Sequence, residues 1–155
     1  MFGFFTRKRQ DEVQRFLNRR MNRSFLPKVD SGNRRHSRGE FCEVAWVLAY
    51  DEEKCAPDFE DVHVVVTRDI SSDGLSILQT SPINEVRVVV ALEGDLETRF
   101  ILCSVTHSSP LGYGFFQIGL YPEEFLHVDG DVVEEIRQNL QKNPQGMQQM
   151  SAQAR

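Results

Sequence analysis

Six consecutive residues near the middle of the chain combine an acid, a hydroxyl and a glycine in a spacing suited to ligand binding. They are Asp69-Ile70-Ser71-Ser72-Asp73-Gly74, and they follow a β-branched run, Val62 to Arg68, that is typical of a strand. The Asp69 carboxylate can accept hydrogen bonds from backbone amides or from the N1 and N2 hydrogens of guanine. Ser71 adds a hydroxyl, and Gly74 allows a positive φ or a close backbone approach. The same pattern is also typical of an Asx or Ser turn that joins two strands.

An arginine cluster, Arg34-Arg35-His36-Ser37-Arg38, precedes this segment by about thirty residues. Guanidinium groups are always charged, and their planar donors match phosphate oxygens and the O6/N7 edge of guanine. Their flat faces can also stack on purines. The polar segment from Pro27 to Gly39 reads as a loop, so these arginines could close around an anionic ligand. A basic surface cluster with no specific ligand is the alternative interpretation.

The distribution of charge supports an anion site near the front of the chain. Residues 1–40 carry eleven Lys/Arg and four Asp/Glu, a net of +7, whereas residues 41–155 carry seven and nineteen, a net of −12. We call residues 1–40 the basic head and residues 41–155 the acidic body, and this asymmetry indicates that the capacity to bind anions lies in the head. The head could instead be a solvated arm lying against its own body. It could also bind nucleic acid, although the acidic body opposes broad phosphate binding.

Composition excludes several classes of protein. The 155 residues are 40% apolar and 26% charged, which is typical of one globular domain. No stretch approaches the roughly 18 apolar residues of a membrane span, and the N-terminus lacks the pattern of a signal peptide. We therefore predict a cytoplasmic protein. Among the cysteines, we interpret Cys42 and Cys103 as core residues and Cys55 as a loop thiol.

Nothing in the sequence favours catalysis. There is no glycine-rich phosphate loop and no nucleophile elbow. The histidines show no metal-ligand spacing, so we predict neither an enzyme, nor a metal site, nor a cofactor. These residues are His36, His63, His107 and His127.

Two helices are predicted, one near each end. From Gln10 to Phe25, apolar residues at helical spacing oppose a face of arginines, which indicates an amphipathic helix. Such a helix could dock on its own domain, on a partner or weakly on a membrane surface, and we predict docking on a protein surface. Near the C-terminus, Asp131 is predicted to cap a helix and Glu134 to complete a capping box. The apolar face of that helix would plug or flank the preceding domain. It consists of Val133, Ile136 and Leu140.

Between the helices, the pattern predicts strands. Several short strands separated by turn signals favour a barrel or a sandwich. We expect an acidic loop from Asp51 to Asp61 and a turn over Ser109–Gly112. The six predicted strands are Phe41–Tyr50, Val62–Arg68, Gly74–Gln79, Glu85–Leu92, Thr98–Thr106 and Gly114–Tyr121.

The order of these features resembles that of the PilZ domain family. RxxxR comes first, then a strand, a second strand that ends in DxSxxG, further strands and a C-terminal helix. The resemblance covers about Asn33 to Leu140, and Ile101–Val105 followed by Gly112–Gly119 looks like the closing strand pair of that family. It implies a mainly β fold, a six-stranded antiparallel PilZ-type barrel with N-terminal and C-terminal helices. The implied organisation is an N-terminal extension at 1–30, a barrel domain at 31–141 and a polar, disordered tail at 142–155.

The resemblance also implies a function. PilZ domains are bacterial receptors for cyclic di-GMP, so the chain would signal through its N-terminal segment to a downstream protein partner. No nucleic-acid polymer would be bound. A PilZ-like interaction module without nucleotide binding is the alternative. Arg34 and Arg38 match the two motif arginines, with Arg35 as a third contact, and Asp69, Ser71 and Gly74 match the second motif.

Overall fold

Strands dominate the computed structural model, which describes residues 9, 11–17, 19, 39–40, 43–71, 74–94 and 96–142. For residues 39–40 and 71 it describes the backbone alone. An N-terminal helix, α1, comprises the helical residues 9, 11–17 and 19. The other elements are β1 (Gly39–Glu40), β2 (Val44–Asp51), β3 (Ala56–Ser71), β4 (Gly74–Gln79), β5 (Arg87–Glu93), β6 (Thr98–Gly112), β7 (Phe115–Leu126) and α2 (Gly130–Lys142).

Six of the strands close into an antiparallel barrel. Their order is β3-β2-β5-β6-β7-β4, and β4 pairs back onto β3. β1 is a short addition that pairs with the end of β3, with Gly39 opposite Ile70 and Glu40 opposite Asp69. The predicted mainly β barrel with a helix at each end of the chain is therefore confirmed.

Alternating side chains divide the apolar residues into an interior core and an outer layer. In β5, Val88, Val90 and Leu92 belong to the interior cluster, whereas Val89 and Ala91 belong to the outer one. The outer layer is covered by α2, whose Val133 and Ile136 are buried there. Because both faces of β5 are covered, its sequence is apolar without interruption from Val88 to Leu92. Leu140 packs at the margin, so the predicted apolar face of α2 is confirmed.

The first helix closes one end of the barrel. Val13 and Leu17 of α1 are fully buried in the interior cluster, which also contains Ile70 of β3 and Leu75 of β4. In an antiparallel barrel, the end of β3, the start of β4 and the end of β5 share one rim. The end of β7 lies at the same rim, and there Phe16 of α1 packs edge-on against Phe125 with 5.5 Å between the ring centroids. α1 therefore lies at the same end of the barrel as the DxSxxG segment. None of the helices in the described ranges is long and apolar enough to cross a membrane.

The predicted acidic loop over Asp51–Asp61 is wrong, because β3 begins at Ala56. The chain turns within 52–55, where Asp51 Oδ1 accepts hydrogen bonds from the amides of Glu53 and Lys54 at 3.0 and 3.1 Å. A register shift then places Tyr50 opposite Pro57. Proline and acidic residues are tolerated there because Pro57 is the second residue of the strand, beside that register shift.

The predicted turn over Ser109–Gly112 is also wrong, because β6 continues to Gly112. The reversal uses Gly112, Tyr113 and Gly114, whose φ angles are 94°, 56° and 80°. Pro110 lies within β6 opposite Phe116. It is tolerated there because the pairing of β5 with β6 ends at Ser104, which leaves one edge of β6 free of β5.

The predicted cap of the second helix is wrong as well. α2 begins at Gly130, and the carbonyl of Asp129 accepts hydrogen bonds from the amides of Val132 and Val133 at 3.0 and 3.2 Å. Asp131 therefore lies in the first turn, where its charge favours the helix N-terminus, and it forms no capping box with Glu134. Asp129 and Asp131 flank Gly130, so the local sequence could not show which of the two aspartates precedes the helix as its N-cap. Lys142, the first residue of the predicted tail at 142–155, is the last residue of α2, and residues 143–155 lie outside the described residues.

The cysteine predictions are confirmed where they can be examined. Cys103 is fully buried in the interior and Cys55 is exposed in the turn before β3. Burial raises the pKa of the Cys103 thiol well above its usual range. The third cysteine, Cys42, lies outside the described residues.

Candidate functional site

Asp69 stands near the end of β3, where its carboxylate is held by a neighbouring strand. Its Oδ1 accepts a hydrogen bond of 2.8 Å from the Oγ of Ser76, which lies opposite it on β4. Ile70 and Leu75 point into the barrel, so alternation places Asp69 and Ser76 on the outer face. Asp69 is half-buried, and Ser76 is only 5% exposed. The acid is therefore partly desolvated and fixed at one oxygen.

Gly74 is required by a close approach between two strands. A β-carbon built on it would lie 2.6 Å from the carbonyl oxygen of Leu120 on β7. That distance is shorter than any ordinary contact, so a side chain would push β4 away from β7. Of the two roles considered for this glycine, close backbone approach is the one that the geometry supports. Ser71, the second motif residue, pairs through its backbone with Gly74 across the hairpin.

The short strand β1 pairs with the part of β3 that begins the DxSxxG motif. Gly39 and Glu40 pair with Ile70 and Asp69, and Gly39 directly follows Arg38 in the chain. The residue that follows RxxxR in the sequence is therefore paired with the strand that carries DxSxxG. The predicted contacts Arg34, Arg35 and Arg38 themselves lie outside the described residues.

Hydrogen bonds with Thr67 hold Glu43, which lies between β1 and β2. Thr67 is fully buried on β3, and its Oγ1 accepts a hydrogen bond of 2.9 Å from the Glu43 amide. The same hydroxyl donates to the Glu43 carbonyl at 3.2 Å. The amide of Thr67 also donates to that carbonyl, at 2.8 Å. These bonds fix the segment that follows the arginine cluster against the strand that bears Asp69.

The Asp69 carboxylate can still pair with a cation or accept a hydrogen bond from another donor. Among the described residues, no lysine or arginine forms an ion pair with it. The adjacent Arg68 is exposed, and its Nη1 donates to Oε1 of Gln117 at 2.6 Å, so its charge is met by a neutral amide. Sequence reasoning missed Arg68 and Ser76 as site residues. Only the pairing of β4 with β3 and β7 reveals their positions.

A cleft at the other end of the barrel contains no motif residue. It encloses about 600 Å³ over an apolar floor that includes Val47 and Val88. His63 Nε2 lies 2.7 Å from Asp61 Oδ1 at its wall. An acidic rim makes the cleft unsuitable for a phosphate-bearing ligand. The four carboxylates of this rim belong to Asp58, Glu60, Asp61 and Glu85.

No metal-binding arrangement is present in the ranges that the structure describes, since no group of three or more His, Cys, Asp or Glu side chains converges there. Comparison of the chain with models of known protein families found no match, and comparison with curated proteins found none either. The functional conclusion therefore depends on the β3–β4 hairpin and on the arginines that precede β1.

Proposed function

We propose that this chain is a cytoplasmic bacterial receptor of the PilZ type, which binds cyclic di-GMP and signals to a protein partner. The observation that carries the proposal is the pairing of β1 with β3. It joins the residue after RxxxR to the residue that precedes Ser71, and it sets Glu40 opposite Asp69. The residue that follows the first motif in the sequence is thereby paired with a residue of the second, although the two motifs are about thirty residues apart.

The chemistry of the ligand matches these residues. Cyclic di-GMP carries two phosphates and two guanines, so it needs cations and purine-edge acceptors in one place. Arg34 and Arg38 would neutralise phosphates and stack on guanine faces, with Arg35 as a third contact. Asp69 would accept from the N1 and N2 hydrogens of a guanine, and Ser71 would add a hydroxyl. Each charge-assisted bond could contribute roughly 1.5–3 kcal/mol.

The partly desolvated carboxylate supports this role. Asp69 has one oxygen bonded to Ser76 and no basic partner among the described residues. A half-buried acceptor of this kind gains most from a ligand that donates two hydrogen bonds. The exposed guanidinium of Arg68, next in the chain, could add a phosphate contact.

The position of α1 suggests how binding would be transmitted. Val13 and Leu17 are buried at the rim that carries the β3–β4 hairpin, so the ligand would act on a helix that is already docked. Contact of Arg34 and Arg38 with the ligand would pull on both β1 and α1, which flank these residues in the sequence. The available energy is the difference in ligand affinity between the two arrangements. Limited proteolysis within 28–39 should slow on addition of cyclic di-GMP, and equal cleavage would contradict this switch.

Calorimetric titration of cyclic di-GMP into the wild type and into Asp69→Asn tests the proposed site. We expect saturable binding by the wild type and a loss of tenfold or more in the variant, by the magnitude of a charge-assisted hydrogen bond. Asp61→Asn is the matched control, because this acid lies on the same strand but at the acidic cleft. Equal affinity in all three proteins would overturn the assignment of Asp69.

A partner-binding module without nucleotide binding is the second candidate. The acidic cleft favours it, because an apolar floor with four carboxylates suits a basic segment of another protein. Titration of the wild type with cyclic di-GMP discriminates between the two functions. Absence of binding well above micromolar ligand would favour the interaction module.

A further inference from the structure

We propose that Ser76 is a positioning residue that presents the carboxylate of Asp69 to the ligand. This inference rests on the proposed function. Ser76 lies outside the DxSxxG motif, two residues after its glycine. The pairing of β3 with β4 nevertheless sets it directly opposite the aspartate.

The contact has ordinary hydrogen-bond length and is buried on one side. The Oγ of Ser76 donates to Oδ1 of Asp69 at 2.8 Å, while Ser76 is 5% exposed and Asp69 is half-buried. A hydroxyl has one proton to donate, and here it is committed to the carboxylate. An ionised carboxylate has about four acceptor sites on its two oxygens, so the bond uses one site of Oδ1 and leaves the remaining sites on Oδ1 and Oδ2 for the donors of a ligand.

Fixing one oxygen has a consequence for recognition. A free aspartate side chain samples several rotamers, and a ligand would have to select one of them at an entropic cost. The hydrogen bond from Ser76 restricts this motion before the ligand arrives. Guanine offers two adjacent donors, N1–H and N2–H, so a carboxylate held in one orientation should favour guanine over adenine. Ser76 would thus contribute to base specificity as well as to affinity.

The chain contains a matched control for this bond. Ser104 on β6 donates from its Oγ to Oε1 of Glu123 on β7, and its partners across the strands are Arg87 and Tyr121. Ser104→Ala therefore removes a serine–carboxylate hydrogen bond from the same barrel without touching the β3–β4 hairpin. Ser76→Thr keeps the hydroxyl and tests whether that group is what matters.

The experiment is calorimetric titration of cyclic di-GMP and cyclic di-AMP into the wild type, Ser76→Ala, Ser76→Thr, Ser104→Ala and Asp69→Asn. We expect Ser76→Ala to weaken cyclic di-GMP binding about tenfold, the lower end for a hydrogen bond to a charged group. Its preference for cyclic di-GMP over cyclic di-AMP should fall in parallel. Ser76→Thr and Ser104→Ala should bind as the wild type does. In the Asp69→Asn background, Ser76→Ala should add little, because the group that it positions is gone.

The outcomes separate the two proposals. If the wild type binds and Asp69→Asn weakens binding, but Ser76→Ala matches Ser104→Ala, the positioning role is overturned and the receptor function stands. If the wild type binds neither nucleotide, both proposals are overturned. A thermal melt of each variant identifies unfolding. If Ser76→Ala does not fold, Ser76→Cys replaces it, because a thiol is only a weak hydrogen-bond donor. A reduced preference for cyclic di-GMP in Ser76→Cys supports the positioning role, and a wild-type preference overturns it. Ser76→Thr gives a further test. If this variant melts as the wild type does but loses as much preference for cyclic di-GMP over cyclic di-AMP as Asp69→Asn, the positioning role is overturned.

Discussion

A β-carbon on Gly74 would lie 2.6 Å from the carbonyl oxygen of Leu120, because β4 and β7 approach closely at the first residue of β4. The last residue of the DxSxxG motif therefore has a structural requirement of its own. The obstacle is backbone, which cannot rotate away as a side-chain end could. Ligand contact need not be the reason that glycine occupies this position.

We expect Gly74→Ala to lower the free energy of unfolding by about 1–3 kcal/mol, the usual cost of overpacking. Gly130→Ala is the control, since a β-carbon at the start of α2 would meet nothing within 4 Å. It should be neutral or stabilise the protein by up to about 1 kcal/mol, because alanine favours helix. Urea denaturation measures both. Equal stability of the two variants would contradict the close approach of β4 and β7.

The docking of α1 makes a second prediction. Leu17 is fully buried in the interior cluster, so Leu17→Ala should cost about 2–4 kcal/mol, within the range for large-to-small core substitutions. Arg15→Ala, on the exposed face of the same helix, should change stability by less than about 0.5 kcal/mol. Chemical denaturation compares them. If both variants were as stable as the wild type, α1 would not be packed in the barrel end.

The buried hydroxyl of Thr67 is the basis of a third prediction. Thr67→Val removes the acceptor of the Glu43 amide, which should lower stability by about 1–2 kcal/mol. Thr67→Ser keeps the hydroxyl and should recover most of this loss. Denaturation curves of the two variants provide the comparison. A valine variant more stable than the serine variant would mean that methyl packing, and not the hydrogen bonds to Glu43, matters at this position.

The two described cysteines should react very differently with a thiol reagent at neutral pH. Burial raises the pKa of Cys103, which keeps it protonated and unreactive, whereas Cys55 is exposed. Peptide mapping after maleimide treatment should find Cys55 modified and Cys103 unmodified until the protein is unfolded. Rapid labelling of Cys103 in the folded protein would show that the barrel interior is open to the reagent.

Local patterns predicted the barrel and its helices well, because alternating β-branched residues and a helical stripe report directly on burial. They failed where tertiary pairing overrides local preference. Pro57 and Pro110 both lie in strands, since β3 has a register shift beside Tyr50 and β6 has an edge free of β5. Asp69 and Gly74 could be selected from their spacing. Ser76 could not, because its hydrogen bond to Asp69 depends on which residue of β3 faces it.

The central claim is that the arginines before β1 and the hairpin of β3 and β4 form one nucleotide site. Its most direct test is calorimetric titration of cyclic di-GMP into the wild type and into the double variant Arg34→Ala, Arg38→Ala. The control is the double variant Arg15→Ala, Arg19→Ala, which removes two exposed α1 arginines with the same spacing and the same charge change. We predict saturable binding in the wild type and in the control, with loss in the Arg34, Arg38 variant, and a stoichiometry that distinguishes one bound molecule from two. Equal binding by all three proteins, or none by the wild type, would contradict the claim.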